Sequence, residues 1–569
     1  MYDLVIRNGT VIDGSGLPRY RADVGISGNR IEAIGRIHTK GAQEVDASGH
    51  IVTPGFIDGH THMDAQVFWD PIGSCSCWHG VTTAVMGNCG FSLAPGSLAM
   101  RDLIIKNLES AEDISRPAME AAIPWDWTTF RDYMDAVNKV PKALNYAANV
   151  GHSALRTHVM GQRAFEQAAT PDDMGAMEHE LRDALNAGAI GFTTSRSNTH
   201  RTPKDGPVAS LQATWDEVCR LVNVMGQEGH GVFELARERD ATRCADPAVR
   251  KVLNDTLLAL AVDSGVPITF GTPPGGPGAM DNLRLIDAVA AAGGRMFGQT
   301  HTRGITHMLS FKGHLQFDDL PVWDTLRKLP IDEQQRLLHE PELRKRLVDS
   351  AKNGVYKTAS GQPRKPDFQN MHVVKSAVLP NPSVAELAAM RNIDPVELMI
   401  ELALASNFNQ LFMQFNPVTR AKDDEELLTS LRHPRTVMTF TDSGAHVGLI
   451  MDTSIHTHLF AYWVRERQAF TLEEAVRMVT LAPAVAWGFT GRGLLRAGCV
   501  ADINVIDPDK IAPEVPVIVA DLPTGAQRLK QKASGIKATV VAGKVAFVDG
   551  EHTGALAGKL LRSSAAGVK

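Results

Sequence analysis

Eight short apolar runs, rich in β-branched residues and punctuated by glycine and proline, recur through the middle of this 569-residue chain. They are Ile51–Ile57, Thr82–Met86, Ala147–Val150, Ala189–Thr194, Gly231–Leu235, Val266–Phe270, Met296–Gln299 and Thr436–Phe440. Between most of them lie stretches with helical apolar spacing, among them Asp172–Asn186, Ala213–Glu228 and Pro247–Ser264. Short apolar runs without alternation read as strands buried on both faces. Eight of them interleaved with helices predict an α/β fold, a (β/α)8 TIM barrel. The rival is an open doubly wound sheet, but no G-x-G-x-x-G follows the first strand.

The two ends of the chain have a different texture. Leu4–Asp13 carries an Asn8-Gly9 hairpin signal between β-formers, and Asp23–Ile34 repeats the pattern around Gly28-Asn29. Strand and hairpin signals return in Ala501–Ile506 and Ala538–Val548. These predict a small β-sandwich domain built from both termini, residues 1–55 and 487–569, around a barrel over 56–486. Two connections exceed the usual loop length, at about 90–142 and 301–435. The second contains helical patterns at Ser383–Met390 and Asp394–Ala405. On a barrel such excursions leave the carboxyl-terminal face, where active sites lie, and are expected to form lids and walls. Thr471-Leu-Glu-Glu474 opens a further helix with a capping box.

Composition excludes several function classes. With 44% apolar and 21% charged residues the chain is an ordinary globular protein, and a net charge of -6 gives no nucleic-acid footprint. No apolar stretch is long enough for a membrane span. The opening Met1-Tyr2-Asp3 has no basic and apolar leader. The six cysteines (Cys75, Cys77, Cys89, Cys219, Cys244 and Cys499) are sparse and do not form a disulfide framework. A reducing, cytoplasmic location is the expectation, with Cys75 and Cys77 as free thiols.

Chemistry concentrates at the ends of the expected strands. His60 and His62 close the first run, and residues i and i+2 of a strand project from the same face. Two imidazoles converging there begin a zinc site or, taken alone, belong to an ordinary polar loop. Cys89, in Val85-Met-Gly-Asn-Cys-Gly-Phe91, ends the second strand, where a thiolate reaches a metal held by those histidines or simply packs as a small hydrophobe. Asp442 ends the eighth strand, beside the first in a closed barrel. It reads as a metal ligand and general base, or as a cap or turn residue.

Together these positions resemble the amidohydrolase superfamily, and within it the N-acyl-D-amino-acid deacylase (D-aminoacylase-like) family. The resemblance spans nearly the whole chain. It is carried by Asp3–Gly14, Val52-Thr-Pro-Gly-Phe-Ile-Asp-Gly-His-Thr-His-Met-Asp64, Gly87-Asn-Cys-Gly-Phe91, Gly151–Arg156, Thr441–His446 and Gly498–Asp502. The resemblance implies a metal-dependent hydrolase of a carbon–nitrogen (non-peptide) amide bond, acting on a small-molecule amide. A metal-bound hydroxide would attack the carbonyl, with His60, His62, Cys89 and Asp442 as the metal shell and Asp442 as general base and acid.

The chain departs from the family at three strands. Many relatives carry a carboxylated lysine on strand four, and Gly188–Ser195 has no lysine. D-aminoacylases carry metal-binding histidines on strands five and six. Strand five here offers Glu234, and Pro267–Thr272 offers no histidine. One zinc ion is therefore expected, the ligands of a second being missing unless His301, after strand seven, compensates. Substrate contacts are expected from His152, Glu234, His301, Arg303 and His446, with Arg196 a second carboxylate clamp. For His152 and His301 the alternative is a purely structural role. His200 reads as a solvated loop residue, and His372 reaches the mouth only if its excursion folds over it. The altered metal set leaves open a different amide, carbamate or cyclic amide as substrate, and a degenerate, non-catalytic barrel as the alternative to an enzyme.

Overall fold

The computed structural model describes residues 1–238, 247–272, 274–275, 278–356, 365–378, 380–416 and 420–569. Eight strands lie side by side in chain order. They are β1 (Phe56–Asp58), β2 (Val81–Met86), β3 (Asn145–Gly151), β4 (Gly191–Ser195), β5 (Val232–Ala236), β6 (Ile268–Gly271), β7 (Met296–Thr300) and β8 (Thr436–Met438). Every neighbouring pair is parallel. Beyond β1, His60–Thr61 pairs in parallel with Phe440–Ser443 beyond β8. The sheet is thus curled, and its two outer strands meet at their carboxyl ends.

All residues of β2 and β3 are buried, which is why these strands read as continuous runs rather than alternations. The connecting helices include Pro171–Ala187, Trp215–Glu228, Pro247–Ser264 and Ala279–Ala291. Pro171–Ala187 starts on a Thr170/Asp173 capping box with proline in its first turn and stops at left-handed Gly188, so its ends are fixed by local chemistry. The capping box read at Thr471 is also present, opening Leu472–Val479.

The first expected strand is in fact two. Ile51–Pro54 belongs to a separate sheet and only Phe56–Asp58 to the parallel one. The first ends at Pro54, which cannot donate to a ladder, and Gly55 follows where a Cβ would collide with Thr82 of β2. A second correction concerns Asn8-Gly9, which is not a hairpin turn. Leu4–Val11 runs through it as one strand, with a register shift between Ile6 and Gly9 and Asn8 at φ +60°. The pair makes a bulge, and a side chain on Gly9 would collide with Val52. Gly28-Asn29 does connect two paired strands, Tyr20–Ser27 and Arg30–Gly35.

The second sheet has nine strands, drawn from Leu4–Pro54 and from Ile503–His552. Its joint is the antiparallel pairing of Ile51–Pro54 with Ile503–Ile506, Val52 opposite Val505. Ile6, Val24, Val52, Ile503 and Val540 are buried together behind it. The excursion after β2 contains the helices Arg101–Leu108, Arg116–Ala122 and Phe130–Lys139. The one after β7 adds a three-stranded antiparallel sheet of Thr306–Leu309, Phe412–Phe415 and Met371–Val373, and has its own core around Trp323, Phe311, Phe317 and Met399.

Gly59 joins β1 to His60, and a Cβ at this position would run into the indole of Trp487. Gly59→Ala is expected to destabilise the protein by about 1–3 kcal/mol, as overpacking does. The measurement is the midpoint of thermal unfolding; an unchanged midpoint would show that Trp487 yields without cost.

Candidate metal centre

Alternate residues of the extended segment after β1 bring the His60 and His62 rings to one side, both buried. The Nδ1 of His60 donates to Gln299 Oε1 in β7 at 2.6 Å. That bond fixes the tautomer and turns Nε2 toward Cys89 Sγ at 3.5 Å and Asp442 Oδ1 at 3.4 Å. His62 Nε2 lies 3.0 Å from the same Asp442 oxygen and 3.5 Å from Glu112 Oε2. Cys89 is placed by the turn after β2. There Thr193 Oγ1 donates to Gly87 O at 2.6 Å and accepts from Gly90 N at 3.0 Å, while the Cys89 amide donates to the Glu234 carboxylate at 2.7 Å.

The donor types, and the separations between neighbouring donors, suit a divalent ion such as zinc. Zinc bonds of about 2.0–2.3 Å to nitrogen, oxygen and sulfur put neighbouring ligand atoms about 3.3–3.6 Å apart. The separations of 3.5, 3.4 and 3.0 Å along Cys89–His60–Asp442–His62 are close to those edges. His60, His62 and Cys89 offer ligand atoms within 4.8 Å of one another, and so do His62, Glu112 and Asp442. The backbone is strained where the chain presents these groups. Cys89 has φ +54°, Asp442 +59° and His446 +47°, a region that non-glycine residues occupy at a cost of about 1–3 kcal/mol.

Burial opposes ionisation of Asp442, but hydrogen bonds from His60 and His62, and their charge, hold its carboxyl well below the usual carboxylate range. Burial also works against protonation of His60, and the nearby Asp442 and Glu234 more than offset it. At His62 burial wins and the imidazole is less basic than usual. Glu234 is pushed up to about 7 by burial, against the pull of His60 and the Cys89 amide. Asp58, buried under Thr441, is likewise raised by burial to about 7.

The other residues singled out in the sequence fall in several places. Both ring nitrogens of His152 are taken, by Thr194 Oγ1 and Glu217 Oε1, each at 2.8 Å. Glu217 also receives Arg156. His301 and Arg303 meet at Asp452, 3.6 and 3.2 Å from its Oδ1. The guanidinium of Arg303 also reaches Ser454 Oγ at 3.0 Å. The amide of His446 donates to Glu112 O at 2.7 Å. Arg196 pairs with Glu238 and lies over Trp215, His200 pairs with Ser195, and His372 with the carbonyl of Asn381. Cys75 and Cys77 are buried free thiols; Cys244 lies outside the described residues. Sequence reasoning missed Gln299, Glu112 and Asp452. Gln299 had one available signal, a polar residue near the end of an apolar strand. Glu112 had none, since its excursion has no register relative to the parallel sheet.

A family model described as "Amidohydrolase family" matches residues 43–246 and 351–547. The chain belongs to the amidohydrolase family. As a member it is a metal-dependent hydrolase acting on carbon–nitrogen amide bonds. It is 28% identical over 584 residues to a D-aminoacylase of Alcaligenes xylosoxydans xylosoxydans, covering 99% of this chain and 98% of the relative. An N-acyl-D-glutamate deacylase of the same organism is 30% identical over 525 residues, 90% of this chain and 88% of that one. A D-aminoacylase crystal structure shares the fold, with a TM-score of 0.64 at 23% identity over 99% of this chain and 100% of that one. So does an N-acyl-D-glutamate deacylase from Bordetella bronchiseptica complexed with zinc and a phosphonate inhibitor, with a TM-score of 0.62 at 24% identity over 99% of each chain. Among the described residues no helix is long and apolar enough to cross a membrane.

Glu234 gives a signed pH prediction for the metal-free protein. Its folded-state value of about 7 exceeds the ordinary 4.5, so the folded state holds the proton more tightly. Its contribution is fully present below the unfolded value and is lost as pH rises through the folded one. At about 1.4 kcal/mol per pH unit the loss is about 3 kcal/mol. Glu234→Gln should therefore gain stability relative to the native chain between about pH 5 and pH 8. Thermal unfolding of both proteins at each pH measures it, and a constant gap would mean Glu234 does not carry that burden.

Proposed function

We propose that this amidohydrolase removes the acyl group from an N-acyl-D-amino acid. The carbon–nitrogen bond would be cut in a zinc centre made by His60, His62, Cys89 and Asp442. The observation that carries the reading is the convergence of one carboxylate on two imidazoles, Asp442 Oδ1 at 3.4 Å from His60 Nε2 and 3.0 Å from His62 Nε2. Imidazole and thiolate together favour zinc over magnesium or calcium. When bound, the ion supplies Lewis acidity toward the carbonyl and makes water acidic enough to attack near neutral pH. Asp442, held ionised between the histidines, accepts the proton of the attacking water and delivers it to the leaving nitrogen. Gln299 keeps His60 in the tautomer whose Nε2 can donate its lone pair.

The relatives support the substrate class, being named for D-amino-acid deacylation. Their names extend to this chain as the first compounds to test. We read the curled sheet as a (β/α)8 barrel over 56–486 and the strands of residues 1–55 and 487–569 as one β-sandwich. The protein would work in the cytoplasm. Of the expected substrate contacts, Glu234 and His446 adjoin the ligand set. His152, His301 and Arg303 are committed to Glu217 and Asp452 and would shape the wall instead. A different amide, carbamate or cyclic amide is the second reading, favoured by Glu234 standing where the family pattern has a strand-five histidine.

Purified enzyme assayed against N-acyl-D-amino acids, their L-isomers and cyclic amides, with product identification, tests the substrate. Asp442→Asn should preserve the fold yet lose about 10²–10⁴-fold in kcat through the lost base, and more from the lost charge at the metal. His60→Ala should remove metal and activity together. Near-normal turnover by Asp442→Asn would make Asp442 structural. Purification without stoichiometric metal and no turnover of any amide would favour a scaffold.

A further inference from the structure

The excursion after β2 places a carboxylate beside the ligand set. Glu112 lies between the helices Arg101–Leu108 and Arg116–Ala122 and is 2% exposed. Its carbonyl accepts the amide of His446 at 2.7 Å, which fastens this turn to the loop after β8. Its Oε2 approaches His62 at Nε2, at 3.5 Å, the same nitrogen that Asp442 Oδ1 approaches at 3.0 Å.

The choice of nitrogen is informative. A group that only orients a ligand imidazole binds the ring's far nitrogen, as Gln299 does at Nδ1 of His60. Glu112 is on the near side. One imidazole N–H satisfies one oxygen, and two carboxylates aimed at a single point, Glu112 buried and Asp442 19% exposed, repel each other unless a cation sits between them. The ligand atoms of His62, Glu112 and Asp442 fall within 4.8 Å of one another, as a shared ion requires.

We infer that Glu112 is itself a metal ligand, an oxygen donor that the excursion contributes in place of the histidines absent from β5 and β6. β5 supplies Glu234, spent on the Cys89 amide, and β6 reads Ile268-Thr-Phe-Gly271. The inference rests on the reading of His60, His62, Cys89 and Asp442 as a metal centre. It makes the 90–142 excursion part of that centre, latched to it by a side chain and a backbone hydrogen bond.

The test is zinc affinity of the metal-free full chain, by competition with a chromophoric chelator, together with the cobalt absorption spectrum. Glu112→Gln should bind zinc at least about 10–100-fold more weakly, the loss seen even for groups one step removed from a metal. Its cobalt d–d bands should change while the thiolate-to-cobalt band from Cys89 persists. The melting point of the metal-free variant checks that it folds; if it does not, Glu112→Asp must show the same weakening. Unaltered zinc affinity and cobalt spectrum in Glu112→Gln, with metal lost in His60→Ala, would overturn the inference and leave the centre standing. Failure of the native chain to take up zinc or cobalt would overturn the centre, and this inference with it.

Discussion

Asp442 reaches His60 and His62 because the two outer strands of the parallel sheet meet where His60–Thr61 pairs with Phe440–Ser443. This ladder joins segments separated by 383 residues at the Thr441–Asp58 contact, where the hydroxyl donates to Asp58 Oδ2 at 2.5 Å. His62 N donates to Ser443 O at 2.7 Å, Gly59 N to Thr439 Oγ1, and Ser443 Oγ meets Ser76 Oγ at 2.8 Å. The register slips between Phe440 and Ser443. A regular ladder would carry Asp442 in extended conformation. The slip, with Asp442 at φ +59°, is how the backbone turns this residue toward the histidines. Seam and site are therefore one construction, and the seam's hydroxyls help to place the carboxylate.

The site gathers more negative charge than burial tolerates. Asp442, Glu112 and Glu234 stand around the Cys89 thiol and two imidazoles, of which His60 is more basic than usual and His62 less. Burial raises Glu234 and, beneath the site, Asp58 to about 7, while at Asp442 the hydrogen bonds and charge of His60 and His62 overcome burial and keep the carboxyl ionised. A divalent ion held by His60, His62, Cys89 and Asp442 would reverse that balance, giving the carboxylates the charge partner that low dielectric makes them require.

Much of this was legible from residue pattern, for physical reasons. Pro247–Ser264 was readable to the residue because apolar spacing along a helix is set by its own geometry, and Thr82–Met86 fell one residue short of β2 because a doubly buried strand advertises itself as a continuous apolar run. The break at Pro54-Gly55 was present in the sequence but masked by apolar residues on both sides. Asn8-Gly9 misled because the same left-handed preference serves a bulge as well as a turn. The strands Thr306–Leu309, Met371–Val373 and Phe412–Phe415 were not read at all. Each is three or four residues long, and each pairs with a distant part of the chain: Thr306 lies opposite Phe415, and Met371 opposite Gln414. The histidines, Cys89 and Asp442 could be placed because strand ends on a curled sheet point to one mouth. Glu112 sits on an excursion, where no periodicity links sequence position to the mouth.

The same contrast accounts for the missing histidines. Glu234 occupies β5 at the level of Thr193 in β4, and both brace the turn that carries Cys89, one through the Cys89 amide and the other through Gly87 and Gly90. A histidine at position 234 could accept from that amide only through a ring nitrogen, at the expense of ligation. The chain has instead committed its fifth strand to holding the thiol at left-handed φ, a conformation that needs such bracing. Donors that the sheet does not supply would then come from outside it. The only buried carboxylate beyond Asp442 that approaches a ring nitrogen of His60 or His62 among the described ion pairs is the one on the excursion after β2. A change in strand chemistry and a long loop are thus two halves of one rearrangement, in which the rigid sheet positions the sulfur and a latched excursion supplies the oxygen.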